Sequence, residues 1–141
     1  MFKSKFVPGF LLIEVLLSVA LFALLVAGLA GAIIYLQQNA VLATQADQAL
    51  MLAGEGLEAA RSMAASGFSG LADGNFGLVI SGGAWTLSVQ SDQTGMFTRQ
   101  LAISNISPTV KQITSTITWS QNLQRPGSIS LVTEVSDWRG N

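Results

Sequence analysis

The amino-acid sequence predicts an α+β chain: one long N-terminal α-helix, transmembrane in its first half and amphipathic in its second, packed on a C-terminal antiparallel β-sheet. Three observations carry this reading. Residues 10–36 form a run of 27 residues with a single charge, Glu14. From Leu42 to Ala64, apolar residues recur at spacings of three and four, the period of one helical face. From Phe76 onward, apolar and polar residues alternate, the period of a half-buried strand.

At about 1.5 Å per residue, the apolar run is long enough to cross a ~30 Å hydrocarbon core. Lys3 and Lys5 precede it, and the bias of basic residues to the cytoplasmic side keeps the N-terminus in and sends the rest out. An ordinary signal peptide has an apolar run of about 7–15 residues before a small-residue cleavage site. Ala30-Gly31-Ala32 has the small residues, but Ile33-Ile34-Tyr35-Leu36 follows, so the run does not end there. A plain anchor explains the length but not Glu14. A carboxylate in the membrane costs about 2.5–3.5 kcal/mol on the lenient insertion scale and usually marks function. Gly28 and Gly31, with Ala23, Ala27 and Ala32, place small residues at spacings of four, which permits close helix approach in a membrane. Glycine also lowers the cost of local unwinding.

The helical pattern continues past the apolar run. Leu42, Ala46, Ala49, Ala53, Leu57, Ala60 and Ala64 form one stripe, with Leu50 and Met63 on its borders. Glu58 and Arg61, three residues apart, read as a surface pair. Gly54 and Gly56 weaken the helix by about 1 kcal/mol each relative to Ala, and Ser66-Gly67 ends it. Phe76, Leu78 and Ile80 then alternate with Gly77, Val79 and Ser81, and Gly82-Gly83 makes a turn. Trp85, Leu87 and Val89 form the next inward row, and Ser91 to Gly95 is a polar loop. Phe97, Leu101 and Ile103 share a face with Arg99, which the pattern places near a sheet edge. Ser107-Pro108 breaks the run, Ile113, Ile117 and Trp119 face inward, and Arg125-Pro126-Gly127 reads as a turn before Ile129, Leu131 and Val135. Consecutive strands joined by short turns give an antiparallel meander with one buried face, which the stripe from Leu42 to Ala64 can cover.

Composition narrows the chemistry. Only 11% of the 141 residues are charged, against about 25% in an average soluble domain. The pI near 5.1 argues against a nucleic-acid footprint. There is no Cys and no His, so disulfides, thiolate catalysis, Cys/His zinc sites and His acid–base chemistry are excluded. No catalytic constellation is found, and no metal or cofactor is expected. Asp73-Gly74-Asn75 offers one acidic side chain, far short of a 6–8-ligand Ca²⁺ site, and reads as a turn. Trp85, Trp119, Trp138, Phe76 and Phe97 read as sheet packing rather than as a stacking platform.

Lys3 and Lys5, then Gly9-Phe10-Leu11-Leu12-Ile13-Glu14-Val15, then about twenty apolar residues, resemble the start of type IV prepilins and type II secretion pseudopilins. Gly9, Phe10 and Glu14 match in register. Pro8 departs from the family pattern, which more often has a polar or basic residue there. The resemblance implies cleavage by a prepilin peptidase between Gly9 and Phe10, N-methylation of Phe10, and pairing of Glu14 with the Phe10 amine of a neighbouring subunit during assembly. It implies a pilin-like fold divided into a cleaved leader (1–9), a transmembrane or filament-core half of the helix (10–36), and an amphipathic helix half with a β-sheet head (37–141). Weaker likenesses to small minor pilins lie in Glu55–Arg61, Phe97–Arg99 and Asp137–Arg139. The C-terminal disulfide loop of the best-known major pilins has no counterpart.

The function these features imply is that of a structural subunit, a minor pilin or pseudopilin, of a type IV pilus or a type II secretion-like filament. Its implied partners are other pilin subunits, the prepilin peptidase, the inner-membrane assembly platform and, before assembly, membrane lipid. The rival class is a membrane-anchored extracellular binding module, an adhesin or DNA-uptake receptor.

Overall fold

A computed structural model describes the backbone of residues 8–120 and 126–138, with side chains from residue 11 onward. Helix α1 (Pro8–Ser66) is followed by a 3-10 turn (Phe68–Gly70) and six strands: β1 (Gly74–Ser81), β2 (Ala84–Ser88), β3 (Asp92–Thr94), β4 (Phe97–Ser107), β5 (Val110–Ser120) and β6 (Pro126–Ser136). The chain forms two compact units, Met1–Ala43 and Thr44–Asn141.

The described part of the first unit is helix alone. Every large apolar side chain among residues 11–36 is exposed, and no packing among the described residues covers them. This is a helix long and apolar enough to cross a membrane.

In the second unit the amphipathic half of α1 packs on the antiparallel sheet. Ala49, Ala53, Leu57 and Ala60 are buried, while Ala46 and Ala64 are half-buried. The row of alanines brings the helix close to the strands, and Gly56 brings it closer still. A Cβ on Gly56 would lie 2.6 Å from Ser115 Oγ and 3.2 Å from Arg99 Cδ. The helix ends where the pattern predicts. The Gly67 amide donates to Met63 O at 2.9 Å, and Ser66 Oγ donates to the same carbonyl at 2.8 Å.

The strand order is β2-β1-β4-β5-β6, with β3 also beside β4. This departs from a plain meander. The first residues of β1 pair with β4, Phe76 opposite Leu101, but from Gly77 onward β1 pairs with β2. β3 takes the vacated place beside β4, Asp92 opposite Arg99. Gly77 is the crossing point: a Cβ there would lie 2.1 Å from Gln90 O, so the strand returning from β2 runs against bare backbone. Gly82 and Gly83 both have positive φ, 61° and 81°, as a two-residue hairpin turn of the twist-matched kind demands.

β4, β5 and β6 form the long ladders. Their inward rows, with Leu57, Ala60, Leu71 and Leu78, enclose one cluster around Leu101, Ile103, Ile113 and Val135. Ala49, Ala53, Phe97 and Ile117 form a second. The opposite face carries Thr114, Thr116 and Thr118 on β5, with Ser128 opposite Thr118 and Ser130 opposite Thr116.

Two strand assignments need correction. Ile80 and Val89, assigned to inward rows, are 62% and 89% exposed: Ile80 lies on the far part of β1, which has no pairing with β4, and Val89 lies past the end of β2. Pro126 and Gly127 do not form a turn but open β6. Proline is tolerated at the first position of an edge strand, and Gly127 is required by Trp119, whose ring would lie 2.3 Å from a Cβ. Arg125 lies outside the described residues.

Candidate functional site

The residues singled out by sequence fall at the start of α1. Lys3 and Lys5 lie outside the described residues. Gly9 and Phe10 are in the first turn of the helix, and their side chains are outside the described set. Glu14 is exposed among exposed Leu11, Leu12, Ile13, Val15 and Leu16. Its carboxylate has no ion-pair or hydrogen-bond partner among the described residues. Its backbone carbonyl accepts from Ser18 Oγ at 2.8 Å, a bond back to the preceding turn that satisfies the hydroxyl within an apolar helix.

The helix is unbroken through Gly28 and Gly31. A Cβ at either position would meet nothing within 4 Å. No contact among the described residues requires glycine at these positions, and the flat surface they leave is open to another molecule.

In the head, the most developed polar arrangement surrounds Arg99. Contrary to its placement at an edge, Arg99 is 6% exposed, because β3 lies beside β4 at that level and α1 covers it. Its Nη2 donates to Asp92 Oδ2 at 2.6 Å and its Nε to Asp92 Oδ1 at 3.2 Å. Nη1 donates to the Leu52 carbonyl at 3.3 Å and lies 3.7 Å from Glu55, and the guanidinium carbon sits 5.8 Å from the centre of the Trp85 ring. A guanidinium keeps its charge when buried, and here four groups from three elements answer it. The sequence did hold a signal: an inward-parity Arg, with an Asp seven residues earlier across a glycine-containing hairpin. Beside this node, Ser115 Oγ is buried with no hydrogen-bond partner among the described residues.

A second polar cluster lies at the far end of the sheet. Lys111 Nζ donates to Asp73 Oδ1 at 3.1 Å, and Asn105 donates to Asp73 Oδ2. The carboxylate considered for a turn at Asp73-Gly74-Asn75 thus serves a buried lysine. Among the described residues, no three or more acidic side chains gather as a metal-ligand set. Arg61, read as surface, contacts Glu58 but also reaches β6, donating to Thr133 Oγ1 at 2.9 Å.

The aromatic residues divide. Phe97 and Trp119 pack at 5.8 Å between ring centres, Trp85 lies by Arg99, and Phe76 is half-buried. Trp138 differs, being 78% exposed. The chain matches no family model, no curated protein and no solved structure.

Proposed function

We propose that the chain is a structural subunit, of the minor pilin or pseudopilin kind, of a type IV pilus or type II secretion-like filament. One observation carries the reading: Glu14, the single charge of residues 10–36, stands without a partner among the described residues in a stretch whose large apolar side chains are all exposed, four residues after Phe10. A membrane-depth carboxylate is tolerable when paired. Cleavage after Gly9 would create the amine on Phe10 that a neighbouring copy offers it. On this reading the helices bundle into a filament core and the heads form its skin. The subunit starts as a single-pass membrane protein with its N-terminus in the cytoplasm and its head outside.

Intact mass and N-terminal sequencing of membrane or filament material test the reading. The expected mature chain begins at Phe10 and has 132 residues, 141 minus 9, with a methylated amine. A mature N-terminus beyond Ala32 would mean signal-peptide cleavage and would end the proposal.

A further inference from the structure

Where α1 stops, a cleft of about 790 Å³ opens between the last turn of the helix, the β4–β5 turn and the segment after β6. This is within the size range of small-ligand sites. Its wall combines three kinds of group. The first is the Lys111–Asn105 pair. Lys111 is 8% exposed, lies 5.7 Å from the centre of the Phe68 ring and gives one proton to Asp73. An ammonium has three donors and an amide oxygen is an acceptor. Two Lys111 protons and the Asn105 carbonyl oxygen are therefore not engaged among the described residues.

The second is the end of the helix. The last four carbonyls of a helix have no intrahelical partner. Met63 O is taken by Ser66 and Gly67, but the carbonyls of Ala64, Ala65 and Ser66 accept no backbone hydrogen bond from the turn that follows. The third is apolar. Trp138 is 78% exposed and Ile106 54% exposed, and both line the cleft.

The electrostatics narrow the ligand. Asp73 neutralises Lys111, and the only other charged side chain on the described wall is Asp137, so the described wall carries no net positive charge to select an anion. Unused donors and acceptors stand together beside an indole. This suits a molecule whose groups both donate and accept and whose ring has an apolar face, since Trp presents an apolar body with a polar tip. We propose that this cleft binds a neutral oligosaccharide, its hydroxyls against Lys111, Asn105 and the helix-end carbonyls, and one pyranose ring against Trp138. The proposal does not rest on filament assembly, because the binding is a property of the single chain.

The experiment is titration of the full chain, in nanodiscs or a detergent without a sugar headgroup, with cellotetraose, maltotetraose and chitotetraose. Tetragalacturonate serves as the acidic control. Tryptophan fluorescence and calorimetry are the readouts. At least one neutral tetrasaccharide should saturate, and the acidic one should not. Trp138→Ala should weaken binding about tenfold, Trp138→Phe less, and Asn105→Ala measurably. Retention of the native circular dichroism spectrum by Trp138→Ala separates lost binding from lost fold. Absence of saturation at millimolar concentrations of all three sugars, equal binding by Trp138→Ala, or binding of the acidic sugar alone would overturn the proposal.

Discussion

Arg99 and Asp92 face each other across the β3–β4 ladder, joined by a fork of Nη2–Oδ2 at 2.6 Å and Nε–Oδ1 at 3.2 Å. The pair fixes β3 in the place that β1 vacates, and through the Leu52 carbonyl it ties the sheet to α1. Removing one partner of a buried pair leaves a stranded charge, whereas replacing both with apolar groups can be near neutral. Asp92→Ala should therefore cost about 3 kcal/mol. Arg99→Met added to Asp92→Ala should recover most of that loss. Denaturant unfolding followed by tryptophan fluorescence checks both. A double variant as unstable as Asp92→Ala alone would show that packing, not charge, dominates the site.

Gly56 and Ser115 meet where the helix lies close against the sheet, 2.6 Å from a notional Cβ to the hydroxyl oxygen. Gly56→Ala improves helix propensity by about 1 kcal/mol but must move the helix or the sheet, and overpacking costs about 1–3 kcal/mol. The net expected effect is destabilisation. Ser115→Ala removes a buried hydroxyl that has no hydrogen-bond partner and should raise stability, since an unsatisfied buried group costs about 1–3 kcal/mol. It also vacates the space that the Gly56→Ala methyl needs. The double variant should therefore be more stable than Gly56→Ala by more than the Ser115→Ala effect alone, a coupling read directly from a thermal-melting cycle.

The helix of the head was legible because its information is local. Each of Ala49, Ala53, Leu57 and Ala60 lies on the face that a 3.6-residue period assigns. The Gly82-Gly83 turn was legible for the same reason. What the alternation could not convey is which strand lies beside which. The exposure of Ile80 and the burial of Arg99 follow from β1 leaving β4 at Gly77, and that exchange depends on pairings between distant segments. Gly127 read as a turn because Pro-Gly is a turn signal, yet its cause is a tryptophan on the neighbouring strand. The cleft at Lys111 was hidden likewise: Asp73 and Lys111 are 38 positions apart, and only the sheet brings them together.

A Cβ at Gly28 or Gly31 would meet nothing within 4 Å among the described residues, so an effect of substitution there is expected between molecules or through helix stability. Two roles separate cleanly. If the glycines serve close helix approach, Gly31→Ala should be nearly neutral for filament incorporation and Gly31→Leu strongly impaired. If they permit stretching of the helix in a filament, Gly31→Ala should also impair it, because alanine favours helix by about 1 kcal/mol. Incorporation of the two variants, measured against membrane levels of the same protein, distinguishes them. Equal incorporation of Gly31→Leu and the parent would remove both roles.

On the proposed filament reading, Glu14 is the position on which assembly should depend most. In the single chain its carboxylate is exposed on an apolar helix surface, and in a membrane or a helix bundle that surface loses water. A neighbour's Phe10 amine would supply the compensating charge. Coulomb attraction at ~4 Å is about 4 kcal/mol at an effective dielectric of ~20, an upper guide before desolvation. Even a fraction of this would set the axial register of one helix against the next. Glu14→Gln keeps the size and much of the hydrogen bonding but removes the charge. Membrane insertion and cleavage after Gly9 should be unchanged, because neither uses that charge, while incorporation into filaments should fall severalfold or more. Glu14→Asp should lie between the two, its carboxylate one methylene short of the same reach. Immunoblots of sheared filaments against membranes measure the ratio. Wild-type incorporation of Glu14→Gln would eliminate the pairing role and leave Glu14 with a local one in the first turns of the helix.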